Sequence, residues 1–271
     1  MQASPFTSAH SKLARARKHL DDLRAAIVAF LATQPYEVMR EEEISSGDLV
    51  YKLRTCHEVP GDLSLIIGDV LHNLRSALDH LAWRLVELNN KTPNRNTQFV
   101  ICANQTAFQN RVAQGALREM SQTARTFIEN LHPYRGGDDI LWQLNELENI
   151  DKHRLLLVTG NAFNSLGLAW KFTAPGKPDT SITLPLDMRP TDRSFPLHQG
   201  AEVLRVNKAA RQSHDLSFPI QLQEPNFTFD IGFADGAVMT GEPVEEKLEE
   251  MYTRVEQILR LADLQLSNST T

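Results

Sequence analysis

The chain has 271 residues, 41% hydrophobic and 23% charged, the composition of a soluble globular protein able to bury a substantial core. A net charge of −6 and a pI near 5.9 exclude a broadly basic, nucleic-acid-coating surface, while leaving room for a local phosphate grip. No apolar run approaches bilayer length, the first residues lack a signal-peptide core, and Cys56 and Cys102 are in no metal-ligand spacing, so a cytoplasmic protein without a membrane role is expected.

From about Ser8 to Thr33, Leu13, Ala16, Leu20, Leu23, Ile27 and Phe30 alternate at three and four residues, an amphipathic helix close to a heptad seam that Pro35 ends. "YEVMREEEISSGDLVYKLRTCHEVP" reads as two strands around a Ser-Ser-Gly-Asp turn. Pro60-Gly61-Asp62 then opens a helix over 62–89. "TQFVIC" is a short buried strand or extended segment, a further helix covers 116–131, and another starts at Asp138 or Asp139 and runs to about His153. From Leu155 to about Thr240 the character changes: seven of the 13 prolines lie there, among the candidate strands "LGLAWKFTAP", "TSITLPL", "FTFDIGF" and "AVMTGE", the last two joined by an Ala-Asp-Gly turn. A last helix over 243–266 carries Val244, Leu248, Met251, Val255, Ile258 and Ala262 at helical spacing. The expectation is a single α+β domain over 1–271, with a bundle-like core of four to five helices. Its helical part is 1–154, its antiparallel sheet comes mostly from 155–240 within a β-rich part 155–242, and the last helix packs back on the helical part. The two seamed terminal helices should pack together or against a second copy, which makes a homo-oligomer the expected assembly.

Chemistry-bearing residues concentrate on the helix over 62–89. At about 100° per residue, Ile67, Val70, Leu74, Leu78, Leu81 and Leu85 share one arc, while Asp69, His72, Asn73, Ser76, Asp79 and His80 fall opposite, with Trp83 among them. A wet face is usually Lys and Glu, and a large aromatic is rarely left in water, so another element should cover this side. The helix starting near Asp138 repeats the pattern: Leu141, Leu144 and Leu147 on one side, Trp142, Asn145, Glu146, Asn149 and His153 on another. The two polar faces should meet in a partly buried cleft of His72, Asn73, Asp79, His80, Asn145, Asn149 and His153, with Lys152 at its end. Buried polar groups need partners, either each other or a ligand, so the cleft is a structural network or a site.

The segments "GDVLHNLRSALDHLAW", "LHPY" and "LNELENIDKHR" resemble those of a widespread set of bacterial proteins of about this length, over residues 60–155; the resemblance brings no activity with it. A second resemblance is to HEPN-domain ribonucleases, which carry an Arg-x(4–6)-His motif on a helix, as in Arg75-Ser-Ala-Leu-Asp-His80. It implies a metal-independent endoribonuclease of toxin or phage-defence type acting on RNA. Arg75 would hold the scissile phosphate, His80 would act as acid or base on the ribose 2′-hydroxyl, and Asn149 and His153 would assist; His72, Asn73, Asp79, Asn145 and Lys152 would line the binding surface. Ser76 stands where that family has Asn, Asp or His, and the two motif residues are about 140° apart on an ideal helix. No cofactor is expected on this reading. Two alternatives remain: a non-enzymatic binding or scaffold protein, or a divalent transition-metal hydrolase using Asp69, His72, His80 and His153.

Overall fold

The computed structural model describes residues 4–154, 156, 158–172, 180–186, 199–208, 220–222, 226–234 and 238–266. The chain divides into two compact units, one of Met1–Ala25, Gly61–Leu156 and Val244–Thr271, the other of Ala26–Pro60 and Leu157–Pro243. The α+β class and helical core are as the patterning requires, and no described helix is long and apolar enough to cross a membrane.

The first unit is helical: most of α1 (Thr7–Ala32), then α2 (Gly61–Leu88), α3 (Gln105–Ala113), α4 (Gln122–Asn130), α5 (Asp139–Asp151) and α6 (Val244–Leu266). The seams of α1 and α6 are buried within the single chain, with Leu13, Ala16, Leu20 and Leu23 from one and Leu248, Met251, Val255 and Ile258 from the other in the core. Arg17 makes a two-pronged pair with Glu249, Arg24 pairs with Glu245, and His10 pairs with Asp263, so the two helices run antiparallel side by side. This is the first of the two packings the seams allowed. These seam residues are buried within the one chain, while Val28 of α1 and Leu264 of α6 stay exposed.

Two helix boundaries depart from expectation. The segment expected to be helical over 116–131 forms only α4, because Ser121 caps it, its hydroxyl accepting from the Ala124 N–H at 3.2 Å. Gly115 at φ +89° turns the chain just before, so Leu117 and Met120 reach the core from a turn. The helix α3 was not anticipated; its sign in the sequence is Asn104, whose side chain accepts from the Ala107 N–H at 2.9 Å. The start of α5 fits, with Asp138 accepting from the Leu141 N–H at 3.1 Å and pairing with Arg254 of α6 at 2.7 Å. "TQFVIC" is extended, with Phe99 and Val100 buried and one parallel bridge from Cys102 to Tyr134.

The second unit holds two antiparallel sheets. The first, ordered β1-β2-β5, pairs the early hairpin β1 (Tyr36–Glu42) and β2 (Leu49–Cys56) with β5 (Glu202–Val206), so the hairpin belongs with the later half of the chain, not with the helical part. Tyr36, Tyr51, Leu53, Val203, Leu204 and Val206 bury its core face. The second is centred on the long β3 (Val158–Phe172), paired with β4 (Thr180–Leu186), β6 (Ile220–Leu222) and β7 (Asn226–Phe233). "AVMTGE" is not a strand. From Val238 it is a turn that returns to β7 through the Gly241 N–H to Phe233 carbonyl bond, and most of the Ala-Asp-Gly turn lies outside the described residues.

At the end of α1, Gln34 has φ +53° in an exposed position where glycine carries no steric penalty. Gln34→Gly is expected to raise stability by about 0.5–1 kcal/mol in urea denaturation; a loss would mean that the Gln34 side chain makes a contact of its own.

Candidate functional site

Helix α2 is buried nearly all round. Beyond its first two residues a narrow strip reaches solvent: Leu65, Asp69, His72, Trp83 and Glu87 are exposed, and Ser76, Asp79 and His80 lie between them partly so. Trp83 is 43% exposed and donates its indole N–H to Glu87 at 3.1 Å, so among the described residues no element covers it. The indole gains enough from its own helix neighbour to stay at the surface, which removes the premise for a closed cleft over the whole arc. Trp142 is likewise half-exposed, with the Arg135 guanidinium 4.8 Å from its ring centre.

Arg75 lies at the edge of the apolar stripe of the helix. It follows Leu71 by four residues and precedes Leu78 by three, which places it in the apolar stripe, and it is only 7% exposed. Its Nη2 donates to the Phe99 carbonyl at 2.7 Å, and its Nη1 lies 3.2 Å from Asp79 Oδ1, attracted by charge but off the line of a hydrogen bond. The same Asp79 oxygen accepts the Phe99 N–H at 2.9 Å. Arg75 and Asp79 therefore hold both backbone polar groups of one buried phenylalanine and fasten the extended segment to α2. Burial raises the Asp79 pKa, against the opposing pull of Arg75 and the Phe99 N–H. Asn73 is also buried, its amide turned back on the Asp69 carbonyl at 2.8 Å. Asp69 itself is exposed, with His19 of α1 at 3.9 Å.

The polar meeting of α2 and α5 exists, but around a residue the sequence reading passed over. Glu148 is 4% exposed, with Lys152 Nζ 2.5 Å from one carboxylate oxygen and His72 Nδ1 3.8 Å from the other. The signal was present: Glu148 follows Leu144 by four and Leu141 by seven, a carboxylate in the apolar stripe of α5. One turn on, Asp151 lies against Gly68 of α2; a Cβ built at Gly68 would sit 2.5 Å from its Oδ2, so a side chain there would displace the carboxylate. Burial, then Glu148 and Asp69, raise the Asp151 pKa, and His72 opposes them.

The remaining predicted residues are not gathered. Asn149 and His153 are exposed with no side-chain bond among the described residues, and Asn145 reaches only its neighbour Glu146, at 3.4 Å. His80 is half-exposed and makes no hydrogen bond or ion pair among the described residues. Ser76 Oγ is 3.4 Å from His72 Nε2, so Ser76, His72 and Glu148 have the order of a nucleophile, a base and an acid. Both gaps are long, and Ser76 sits mid-helix where the surrounding N–H groups are bound within the helix, leaving no donor pair for an oxyanion. Among the described residues no group of three or more His, Cys, Asp or Glu is arranged to hold a metal, and Asp69 and His72 turn to different partners. No protein-family model matches the chain, and no characterised protein or solved structure is similar enough to bear on its activity.

Proposed function

We propose that the protein is a non-enzymatic binding protein on a helical scaffold, and that the polar residues between α2 and α5 serve the fold. The observation that carries this reading is Arg75. A phosphate grip needs a guanidinium that reaches solvent, whereas this one is buried and engaged by Phe99 and Asp79. The nearby cations are occupied as well: Lys152 by Glu148, Arg84 by Glu87, and Arg135 by Trp142. With Asp69, Asp79, Glu148 and Asp151 close by, the local field is acidic and repels a polyanion.

A second reading, the metal-independent HEPN-like endoribonuclease, draws on one observation: His80 is accessible and, among the described residues, has no partner that occupies it. Incubation of RNA with the purified protein, with and without EDTA, decides between them, using wild type, His80→Ala and Asn149→Ala. The binding-protein reading expects no cleavage in any arm, and a His80→Ala stability within about 0.5 kcal/mol of wild type, since that imidazole holds nothing. EDTA-resistant cutting that vanishes in His80→Ala would overturn it in favour of the ribonuclease.

A further inference from the structure

We infer that a pocket at the Leu131–Tyr134 turn binds an organic ammonium ion. The cavity measures 380 Å³, within the range of small-ligand sites. Phe108, Val112, Ala113 and Tyr134 supply its apolar lining, and Gln105, Gln109, Glu129 and His132 supply the polar part. The Phe108 and Tyr134 rings have centroids 5.7 Å apart and planes inclined at 43°, so two π systems meet at an angle beside the cavity. No lysine or arginine lines it, and the Glu129 carboxylate makes no hydrogen bond or ion pair among the described residues. An apolar pocket with two aromatic rings and one uncompensated carboxylate complements a ligand with an apolar body and a positive, weakly hydrated head. An anion would meet Glu129, and a neutral apolar ligand would leave that carboxylate unanswered.

The walls are held before any ligand arrives. The His132 carbonyl accepts from the N–H groups of both Tyr134 and Asp138, at 2.7 and 2.8 Å, and the Cys102 N–H is bound to the Pro133 carbonyl at 3.0 Å. Gly137 closes the turn where a Cβ would lie 2.8 Å from the Tyr134 ring and 2.5 Å from the His132 carbonyl oxygen. His132 itself sits at φ +49°, edge-on to Tyr134 at 6.0 Å between ring centres. A turn fixed at this many points keeps the Tyr134 ring in place, which lowers the ordering penalty of binding.

The inference rests on the reading of the chain as a binding protein, but it concerns a different surface. The test is titration of the full chain with choline and with its uncharged carbon isostere 3,3-dimethylbutan-1-ol, followed by the NMR signals of Phe108 and Tyr134. Choline is expected to bind with a dissociation constant of about 1 mM or lower, and the isostere about tenfold more weakly. Glu129→Gln should erase that difference at unchanged melting temperature, and Ala113→Leu, which fills the cavity from an exposed helix position, should block both probes. A peptide carrying trimethyl-lysine, titrated in parallel, distinguishes a free small molecule from a partner's side chain as the source of the same head group. Equal affinity of the two probes, a preference that survives Glu129→Gln, or no shift with either probe at about 20 mM overturns the inference. Those outcomes leave the reading of α2 and α5 untouched, because RNA cleavage and His80→Ala stability judge that one separately.

Discussion

Arg75→Met is expected to lower stability by about 2–4 kcal/mol in urea denaturation, with an unchanged dependence of free energy on denaturant. Methionine keeps the apolar stem within the α2 stripe, so the loss comes from the guanidinium alone. Without it, the Phe99 carbonyl is left with no side-chain donor in a buried place, and Asp79 keeps its charge without the cation 3.2 Å away. The figure is held below that of a fully enclosed pair because Asp79 is partly solvated. A ribonuclease that used Arg75 on phosphate would respond in the opposite way, losing cleavage while its melting curve barely moved. A change under about 0.5 kcal/mol would therefore sink the structural account of Arg75.

Glu148→Leu should be neutral or should stabilise by about 1–2 kcal/mol at pH 7. Its two partners, Lys152 and His72, are 54% and 61% exposed and can be hydrated without it, whereas the carboxylate is enclosed and Leu141, Leu144 and Leu147 beside it are fully buried. A leucine extends that stripe. The same variant alters the pH dependence with a definite sign. The Asp151 pKa is raised in the folded chain by burial first and by Glu148 next, so the native state binds that proton more tightly than the unfolded state does. Its contribution to stability grows as pH falls through the raised folded value toward the ordinary carboxyl value, and is lost as pH rises again. Asp79 has the same sign, with Glu148 a smaller contributor. In Glu148→Leu the rise on mild acidification should be shallower than in wild type. A loss above about 1 kcal/mol would mean that Glu148 holds α5 to α2 through His72, and an unchanged acid limb would mean that Glu148 does not raise the Asp151 pKa.

Much of the helical unit was legible in the residues. The three-and-four spacing of Leu13, Ala16, Leu20 and Leu23, and the cap at Asp138, fixed helices within a residue or two of where they lie, because periodicity and capping act over one or two turns. The failures were local as well. A continuous helix over 116–131 ignores Gly115 and Ser121, although a left-handed glycine and an N-cap both interrupt it. The β-forming residues of "AVMTGE" suggest a strand where the chain makes a turn.

The site was harder, for a physical reason. A helical wheel assigns faces by angle, yet α2 is enclosed on nearly every side, so its wet face shrinks to a strip and residues off the apolar arc, Asn73 among them, are buried. Arg75 and Glu148 were visible as charges within apolar stripes, a pattern that signals a buried, partnered charge. Their partners, the Phe99 backbone and Lys152 with His72, could not be read from the stripe itself.

By itself the sequence determined the four longest helices, the seams of the terminal two, the α+β class and the concentration of polar residues on α2, since each follows from interactions among residues a few positions apart. The tertiary structure alone decided that the two terminal helices lie side by side within one chain, that the hairpin near residue 45 joins a strand near residue 204, and that Arg75 faces inward while His80 is half-exposed. Those outcomes depend on which surfaces meet across 20 to more than 200 positions of chain, as in the Arg75–Phe99 and Arg17–Glu249 contacts, and local spacing carries no information about that choice.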